Sequence, residues 1–130
     1  MVVDSSALLA ILLGEPDRDI YLEAIRTAPR ARVGAPTLVE TAVALGKRLG
    51  FGKAHLVDRL AEALGLEVVP FTAEHYQEAV RAYARYGKGQ HPAGLNLGDC
   101  LSYALAKVEG EPLLYKGEDF DRTDLAWKPS

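Results

Sequence analysis

The sequence is poor in residues that form covalent cross-links, since it holds a single cysteine, Cys100, among 130 residues. One cysteine excludes an internal disulfide framework and is typical of a reducing compartment, so we expect a cytoplasmic protein. The longest apolar run, ALLAILL at residues 7–13, falls well short of the roughly 20 residues that span a bilayer. The opening MVVDSS lacks the basic segment of a secretory signal. We therefore expect no membrane partner.

Positive charge is not in surplus either. The chain has 15 lysines and arginines against 18 aspartates and glutamates, a formal net charge of −3, so it exerts no global attraction on nucleic acid or membranes. The bases are unevenly spread, however. Arg81, Arg85 and Lys88 lie together near one loop, which also holds His91. A solvated face is the simpler interpretation, and a basic rim beside an acidic pocket is the alternative.

Several catalytic signatures are missing. The sequence contains no G-x-x-x-x-G-K-[ST] phosphate-binding loop and no G-x-S-x-G nucleophile turn. His55, His75 and His91 are scattered along the chain, and we expect the first two to lie on solvated helical surfaces. These absences argue against a P-loop nucleotide-binding protein, a serine hydrolase of the elbow type and a histidine-based metal site.

Apolar periodicity predicts short strands that alternate with one or two helices. The predicted extended segments are residues 1–3, 31–36, 66–71 and 112–116, with 125–127 (LAW) as a candidate edge strand. The predicted helices are residues 5–14, 16–28, 36–49, 53–65, 73–87 and 97–110. This alternation implies crossovers between parallel strands, hence an α/β fold with a mainly parallel sheet covered on both faces. With no linker or repeat, we expect one domain over residues 1–130.

The last predicted helix has the clearest apolar stripe. Its members are Leu97, Cys100, Leu101, Ala104, Leu105 and Val108. This i, i+3, i+4, i+7 spacing predicts a buried face, with Cys100 as a small buried hydrophobe rather than a reactive thiol. The helices after Gly14 and Gly50 carry more leucine and isoleucine than one small sheet needs. Core packing is the default explanation for each of these residues, and a groove for a partner helix or a dimer surface is the alternative.

Carboxylates recur where the predicted strands end and helices begin. Asp4 follows the first strand, and Glu118 and Asp119 follow the strand PLLYK. Asp99 lies in the first turn of the helix after the basic loop, and Glu40 lies near the start of its own helix. Strand exits and helix entrances share one edge of a parallel sheet, and ligand sites form at that edge. We therefore expect these acids to converge.

Each acid also has a purely structural interpretation. Asp4 is a suitable N-cap for the first helix. Residues 37–40 match the capping-box pattern T-x-x-E, and residues 96–99, N-x-x-D, resemble it, so their acids could serve only the helix termini. Asp121 and Asp124 are most simply solvated loop acids.

The joint pattern of acids favours a metal site. Three or four carboxylates with no cysteine or evident histidine ligand suit a hard divalent cation, because oxygen ligands match Mg²⁺, with Mn²⁺ as the alternative. The cation would offset the mutual repulsion of the acids. The chemistry that fits such a site is phosphodiester hydrolysis, in which the metal activates a water for in-line attack.

Four features of the sequence together resemble a PIN domain, and specifically the VapC toxins of type II VapBC toxin–antitoxin pairs. They are MVVDSSALLAILLGEPD, the isolated helical Glu40, LNLGDCLSYALAK and PLLYKGEDFDRTDL. The resemblance implies a three-layer α/β/α sandwich and a Mg²⁺-dependent endoribonuclease that is inhibited by a VapB-type antitoxin. We expect the substrate to be structured or single-stranded-loop RNA, and the assembly to be a homodimer or a heterocomplex with the antitoxin.

The resemblance also implies roles for individual residues. Asp4, Glu40 and Asp99 match three acids of the family, with Asp4 and Asp99 as metal ligands. Glu40 is then a further ligand or the base that orients the attacking water. Ser6 matches a small polar residue that orients the first aspartate or a water.

The fourth acid is left open by the sequence. The family has aspartate or asparagine near a GxDF segment, and here Glu118, Asp119 and Asp121 all lie close to that position. Asp119 is the first choice, Glu118 the second, and Asp121 a supporting group outside the metal shell. The bases Arg81, Arg85, Lys88 and His91 are then expected to contact RNA phosphates.

A function of another class is a non-catalytic α/β module, such as a phosphoacceptor receiver, whose acids only cap helices. A receiver needs an acidic pair after its first strand and an aspartate after its third. VDSS supplies one acid and VVPFTAE has no aspartate at that point, which weakens this alternative. A measurement of metal binding would discriminate between the two classes.

Overall fold

The computed structural model describes residues 1–127. Its strands are β1 (Val2–Val3), β2 (Arg32–Gly34), β3 (Glu67–Val69) and β4 (Leu113–Leu114). Its helices are α1 (Ser5–Leu12), α2 (Arg18–Thr27), α3 (Ala35–Leu49), α4 (Leu56–Ala63), α5 (Ala73–Tyr86) and α6 (Leu97–Glu109), with a 3₁₀ turn at Phe51–Lys53. The predicted alternation of strands and helices is confirmed. None of the helices in this range is both long and apolar enough to cross a membrane.

The four strands form one sheet in the order β3-β2-β1-β4, and every neighbouring pair is parallel. Successive residues of a strand point to opposite faces. Val2 and Leu113 pack into the core beneath α5 and α6, whereas Val3 and Leu114 pack into the core beneath α1 and α2. Both faces are therefore covered, and the predicted three-layer α/β/α sandwich is confirmed.

The helix α5 begins at the predicted cap, but its histidine is not on the surface. The Thr72 hydroxyl accepts a hydrogen bond from the His75 backbone. His75 is only 2% exposed, because its Nδ1 accepts from the Thr72 backbone N–H and its Nε2 lies 3.4 Å from a Glu109 carboxylate oxygen. The prediction of a solvated His75 is thus wrong, since the capping box draws the ring inward. His55 is exposed, as expected.

The candidate edge strand at 125–127 is absent, because side chains rather than a strand ladder hold this segment. The Trp127 N–H donates to the Tyr115 hydroxyl at 2.9 Å, and its indole lies 6.3 Å from the Tyr21 ring. Leu125 and Trp127 are half-buried against the core. From β4 to Trp127 the chain is a series of turns that packs against the core without extending the sheet.

The apolar stripe of α6 is buried only in part, since Leu101 and Val108 are half-buried. Cys100, Ala104 and Leu105 are at most 1% exposed, but Leu97 is 69% exposed. Leu97 is the first residue of the helix and lines the open groove between α5 and α6, so its predicted burial is wrong. Burial raises the pKa of the Cys100 thiol to about 11, which keeps it protonated and inert, as expected of a small buried hydrophobe.

The exposed apolar surface lies mainly on helices other than those after Gly14 and Gly50. No large residue of α4 is among the exposed hydrophobics, and α2 contributes only Ile20. The exposed apolar side chains of α3, α5 and α6 are Val39, Val43, Leu49, Tyr76, Val80, Tyr83 and Leu97. Of these, Tyr76, Val80, Tyr83 and Leu97 line a groove of about 670 Å³ between α5 and α6. Apolar content along a helix does not reveal which stripe the sheet covers, which is why it did not locate this groove.

Candidate active site

Asp4 stands at the junction of β1 and α1 and is only 2% exposed. Its Oδ2 accepts hydrogen bonds from the Ser6 backbone N–H at 3.1 Å and the Ser6 hydroxyl at 2.6 Å. Its Oδ1 accepts a third from the Ser102 hydroxyl at 2.6 Å. Burial raises the pKa of Asp4, although these hydrogen bonds oppose the shift. Asp4 is therefore the predicted N-cap, but it also accepts a hydrogen bond from Ser102 on the distant helix α6.

Asp99 forms a reciprocal capping box with Asn96 at the start of α6. The Asn96 side chain accepts from the Asp99 backbone N–H at 2.8 Å, and Asp99 Oδ2 accepts from the Asn96 N–H at 3.0 Å. Asp99 is 8% exposed. Burial, together with the charges of Asp4, Asp119 and Glu40, raises its pKa to about 7, against the Asn96 hydrogen bond. The structure thus brings the acids of four segments within electrostatic reach.

Glu40 does not cap its helix, so the predicted T-x-x-E capping box is wrong. The N-cap of α3 is Gly34, and no side chain caps this terminus. Glu40 Oε1 is buried without a hydrogen-bond partner. Burial raises the pKa of the Glu40 carboxyl; the Ser5 hydroxyl opposes this shift and the charge of Asp4 adds to it. A carboxylate held beside other acids with one buried oxygen unpartnered is poorly explained by stability.

A glycine lets Glu40 approach α6. A Cβ built on Gly98 would overlap Glu40 Oε2, and the other carboxylate atoms would also be in close contact. Gly98 immediately precedes Asp99, so the missing side chain brings the two acids together across helices α3 and α6.

The loop after β4 supplies the fourth side of the site. Asp119 and Glu118 are both exposed, and the charge of Asp119 contributes to the raised pKa of Asp99. The Lys116 backbone N–H donates to the Ser6 hydroxyl at 2.9 Å. The start of this loop is thus tied to the residue that holds Asp4. Of the loop acids, Asp119 is the one whose charge contributes to the raised pKa of Asp99, and it is the first choice from the sequence.

The two later acids of this loop are not simply solvated. Asp121 accepts a hydrogen bond from the Tyr115 hydroxyl at 2.6 Å. Asp124 accepts from the Tyr103 hydroxyl at 2.7 Å and the Lys107 ammonium at 2.6 Å. Both acids are exposed, as expected of solvated loop acids, and their hydrogen bonds also attach the loop to the core.

The basic residues lie on α5 and on the loop that leads to Asn96. Arg81 pairs with Glu78 at 2.9 Å, and the Arg85 guanidinium lies 4.8 Å from the Tyr86 ring centroid. Lys88 is exposed at the rim of the apolar groove. His91 Nδ1 accepts from the Ala93 N–H at 3.0 Å. Their contact with RNA stays a prediction.

The sequence interpretation missed Ser102, Thr37 and Gly98. Ser102 and Thr37 are 1% and 2% exposed and lie 3.3 Å apart, between α6 and α3. A signal for Ser102 was present, because it stands one turn after Asp99 within an apolar helix. A polar side chain in such a position usually has a buried partner.

The donor set fits a hard divalent cation, since Asp4, Glu40, Asp99 and Asp119 offer only carboxylate oxygens and Glu40 keeps one oxygen unpartnered. Within residues 1–127, however, no group of three or more His, Cys, Asp or Glu side chains is already arranged to hold an ion. The charges of Asp4, Asp119 and Glu40 nevertheless act on Asp99, so these acids lie near one another without forming a closed set of ligands.

Comparisons with known proteins agree with this arrangement. A family model described as PIN domain matches residues 1–125. Ribonuclease VapC42 of Mycobacterium tuberculosis is 44% identical over 126 residues, which cover 96% of each chain. Ribonuclease VapC of Mycolicibacterium smegmatis is 44% identical over 126 residues, which cover 97% of this chain and 98% of that protein.

Two solved structures share the fold. VapC20 of Mycobacterium tuberculosis, described as a sarcin-ricin loop cleaving toxin, superposes with a TM-score of 0.80 at 18% identity and covers 99% of this chain and 98% of its own. A toxin–antitoxin complex from Klebsiella pneumoniae superposes with a TM-score of 0.72 at 18% identity, covering 99% and 97%.

Proposed function

Because the chain belongs to the PIN-domain family, among the VapC ribonucleases, we propose that it is the Mg²⁺-dependent endoribonuclease toxin of a toxin–antitoxin pair. The observation that carries this proposal is the convergence of Asp4, Glu40 and Asp99 from three separate elements, each with a raised pKa. Strongly perturbed carboxylates gathered at one sheet edge are typical of a functional site.

Asp4 and Asp99 would hold the cation, with Asp119 as the nearest further oxygen donor and Mn²⁺ as an alternative ion. Bound there, Mg²⁺ would neutralise the buried acids and stabilise the charge that develops on the phosphate oxygens. Ser6 fixes Asp4 Oδ2 by two hydrogen bonds, so this ligand needs little reorganisation on binding.

Glu40 is suited to handle the proton of the attacking water. Its Oε1 has no hydrogen-bond partner, and its raised pKa makes the carboxylate a better base than an exposed glutamate. The water oxygen would bond to phosphorus, its proton would pass to Glu40, and the bond to the departing ribose oxygen would break, with that oxygen taking a proton from solvent.

The substrate we propose is RNA in a loop or another single-stranded part of a structured molecule. The acids lie at one edge of the sheet, and a site there reaches an exposed phosphodiester more easily than one within a duplex. The fold neighbour VapC20 is described as cleaving the sarcin-ricin loop, which supports a loop target. Lys88 and His91 border the loop before Asp99 and would contact flanking phosphates.

The partner we propose is a VapB-type antitoxin, as in the Klebsiella complex of the same fold. The apolar groove between α5 and α6 is a suitable surface for a helix of that antitoxin or for a second copy of the chain. A heterocomplex, or a homodimer before inhibition, stays a prediction, as does location in the cytoplasm.

A non-catalytic module in which the acids only cap helices is the competing function. The hydrogen bonds of Asp4 and Asp99 are compatible with it. Glu40 caps nothing, however, and keeps a buried oxygen without a partner. Three acids are therefore better explained together by a metal site than by helix capping.

The test is RNA cleavage by purified protein free of antitoxin. We expect cleavage of a structured RNA in Mg²⁺ and its loss in Asp99→Asn. The matched control is Asp58→Asn, which removes an exposed acid from the first turn of α4 and should cleave normally. Equal cleavage by Asp99→Asn and wild type would point to a contaminating nuclease and refute the assignment.

A further inference from the structure

Two buried hydroxyls connect the helices that carry the acids. Ser102 Oγ lies 3.3 Å from Thr37 Oγ1 and 2.6 Å from Asp4 Oδ1. Ser102 is 1% exposed and Thr37 is 2% exposed, so neither can contact RNA. Any role of theirs in the reaction must therefore act through Asp4.

The direction of these hydrogen bonds follows from the chemistry of the groups. An ionised carboxylate has no proton to donate, so the Ser102 hydroxyl donates to Asp4. The oxygen of Ser102 is then free to accept, and the Thr37 hydroxyl supplies the donor. The result is a chain from Thr37 through Ser102 to Asp4, in which each hydrogen bond polarises the next.

This hydrogen-bond chain connects the elements that carry the three acids. Thr37 stands one turn before Glu40 on α3, and Ser102 stands one turn after Asp99 on α6. Both converge on Asp4 at the end of β1. The hydrogen bonds from Thr37 through Ser102 therefore set the position of Asp4 relative to the helices of the other two acids.

The same hydrogen-bond chain also fixes the second oxygen of the Asp4 carboxylate. Ser6 bonds Oδ2 alone, and a carboxylate held at one oxygen can still turn about its Cβ–Cγ bond. The Ser102 bond to Oδ1 removes that rotation. Outer groups that orient a metal ligand in this way typically change metal affinity or activity by 10- to 100-fold.

We propose that Ser102, supported by Thr37, is a positioning residue that orients Asp4 for binding the divalent cation. This inference rests on the proposed function, because it assumes that Asp4 is a metal ligand. It adds two residues on which cation affinity depends and which do not contact the cation.

The test uses the full chain, freed of antitoxin, and titrates Mn²⁺ and Mg²⁺ by isothermal calorimetry. The variants are Ser102→Ala, Thr37→Val and the double substitution. The matched control is Thr41→Val: Thr41 is 0% exposed, and its hydroxyl donates to the Thr37 carbonyl at 2.7 Å without contacting Asp4. Thermal unfolding of every variant shows whether it is folded.

We expect Ser102→Ala to weaken cation affinity about 10- to 100-fold and Thr37→Val to weaken it less. The double variant should be no weaker than Ser102→Ala, because Thr37 acts only through Ser102. Thr41→Val should keep wild-type affinity while losing thermal stability. If Ser102→Ala does not fold, the isosteric Thr37→Val still has to weaken binding relative to Thr41→Val.

The inference is overturned if Ser102→Ala and Thr37→Val bind the cation as Thr41→Val does, or if their effects simply add. A wild-type protein that binds neither ion refutes the proposed function and this inference together. A wild type that binds and cleaves RNA while Ser102→Ala matches the control refutes the inference alone.

Discussion

At the residue scale, the surroundings of the buried acids raise the free energy of their ionised forms. Asp99 has an ordinary pKa of 3.8 and a pKa of about 7 in the fold, with burial as the largest cause. Asp4 and Glu40 are shifted in the same direction. Without a cation, ionising this group of acids costs folding free energy, and proton binding relieves that cost.

The first prediction concerns stability against pH without metal. Between about pH 4 and pH 7 the folded chain holds a proton on Asp99 that the unfolded chain has released, so the free energy of unfolding should fall as pH rises through this range. Asp99→Asn should reduce the difference between pH 5 and pH 8 by on the order of 2 kcal/mol. Urea unfolding of the wild type and of Asp99→Asn, at both pH values and in EDTA, measures these free energies of unfolding.

Added Mg²⁺ should reverse this trend in the wild type, because cation and proton compete for the same oxygens. The stabilisation by Mg²⁺ should be large at pH 8 and nearly absent at pH 5. If Asp99→Asn showed the same pH dependence as the wild type, Asp99 would not be the group that titrates.

The second prediction concerns Gly98, where a Cβ would overlap the Glu40 carboxylate. Gly98→Ala should push Glu40 away from Asp99 and lower kcat for RNA cleavage about 100-fold, the low end of the contribution of a positioned catalytic base. Gly52→Ala is the control, because nothing lies within 4 Å of its Cβ position. Equal rates for the two variants would show that the approach of Glu40 to α6 is not needed.

At the element scale, helix starts decide which acids are free. The sequence suggested a capping box at residues 37–40, but Pro36 sits in the first turn of α3 and the helix already begins at Ala35. Proline is favoured at such a position because its fixed φ suits a helix start. Thr37 consequently lies inside the helix and bonds Ser102, which leaves Glu40 without a cap to serve. By contrast, Asn96 and Asp99 form the box that their spacing predicts.

The third prediction concerns the attachment of the last loop to α6. Asp124 is bonded to Tyr103 and Lys107, and Tyr103 is only 2% exposed. Asp124→Ala should lower the free energy of unfolding by about 1–3 kcal/mol, because it leaves a buried hydroxyl unpaired. Adding Tyr103→Phe should recover part of that loss. Denaturant unfolding of both variants measures the free energy of unfolding, and Asp19→Ala is the exposed control. If Tyr103→Phe recovered none of the loss, the unpaired Tyr103 hydroxyl would not be its cause.

The fold and the main acids were predictable because their signals are local or periodic. Alternating apolar segments gave the parallel sheet, and strand ends gave Asp4 and the loop at Asp119. The missed features depend on tertiary packing. The contact of Gly98 with Glu40 joins two helices, the burial of His75 depends on Glu109, and Leu97 is exposed in the groove between α5 and α6. No spacing rule along one chain segment contains that information.

At the scale of the whole molecule, the chain presents two different surfaces beside each other. One is the acidic sheet edge with Asp4, Asp99 and Asp119; the other is the apolar groove between α5 and α6. Leu97 borders the groove and lies two residues from Asp99. A protein partner seated in this groove would lie next to the acids, which is a suitable arrangement for an inhibitor of the proposed nuclease.

The central claim is that acids from four segments form one cation-dependent centre that cuts RNA. The most direct test maps the new RNA ends that the purified chain produces in total RNA, with Mg²⁺ and with EDTA, beside Asp4→Asn and Asp99→Asn. We predict a small set of discrete ends that requires Mg²⁺ and the wild-type acids. The same ends in EDTA, or with both variants, would contradict the claim.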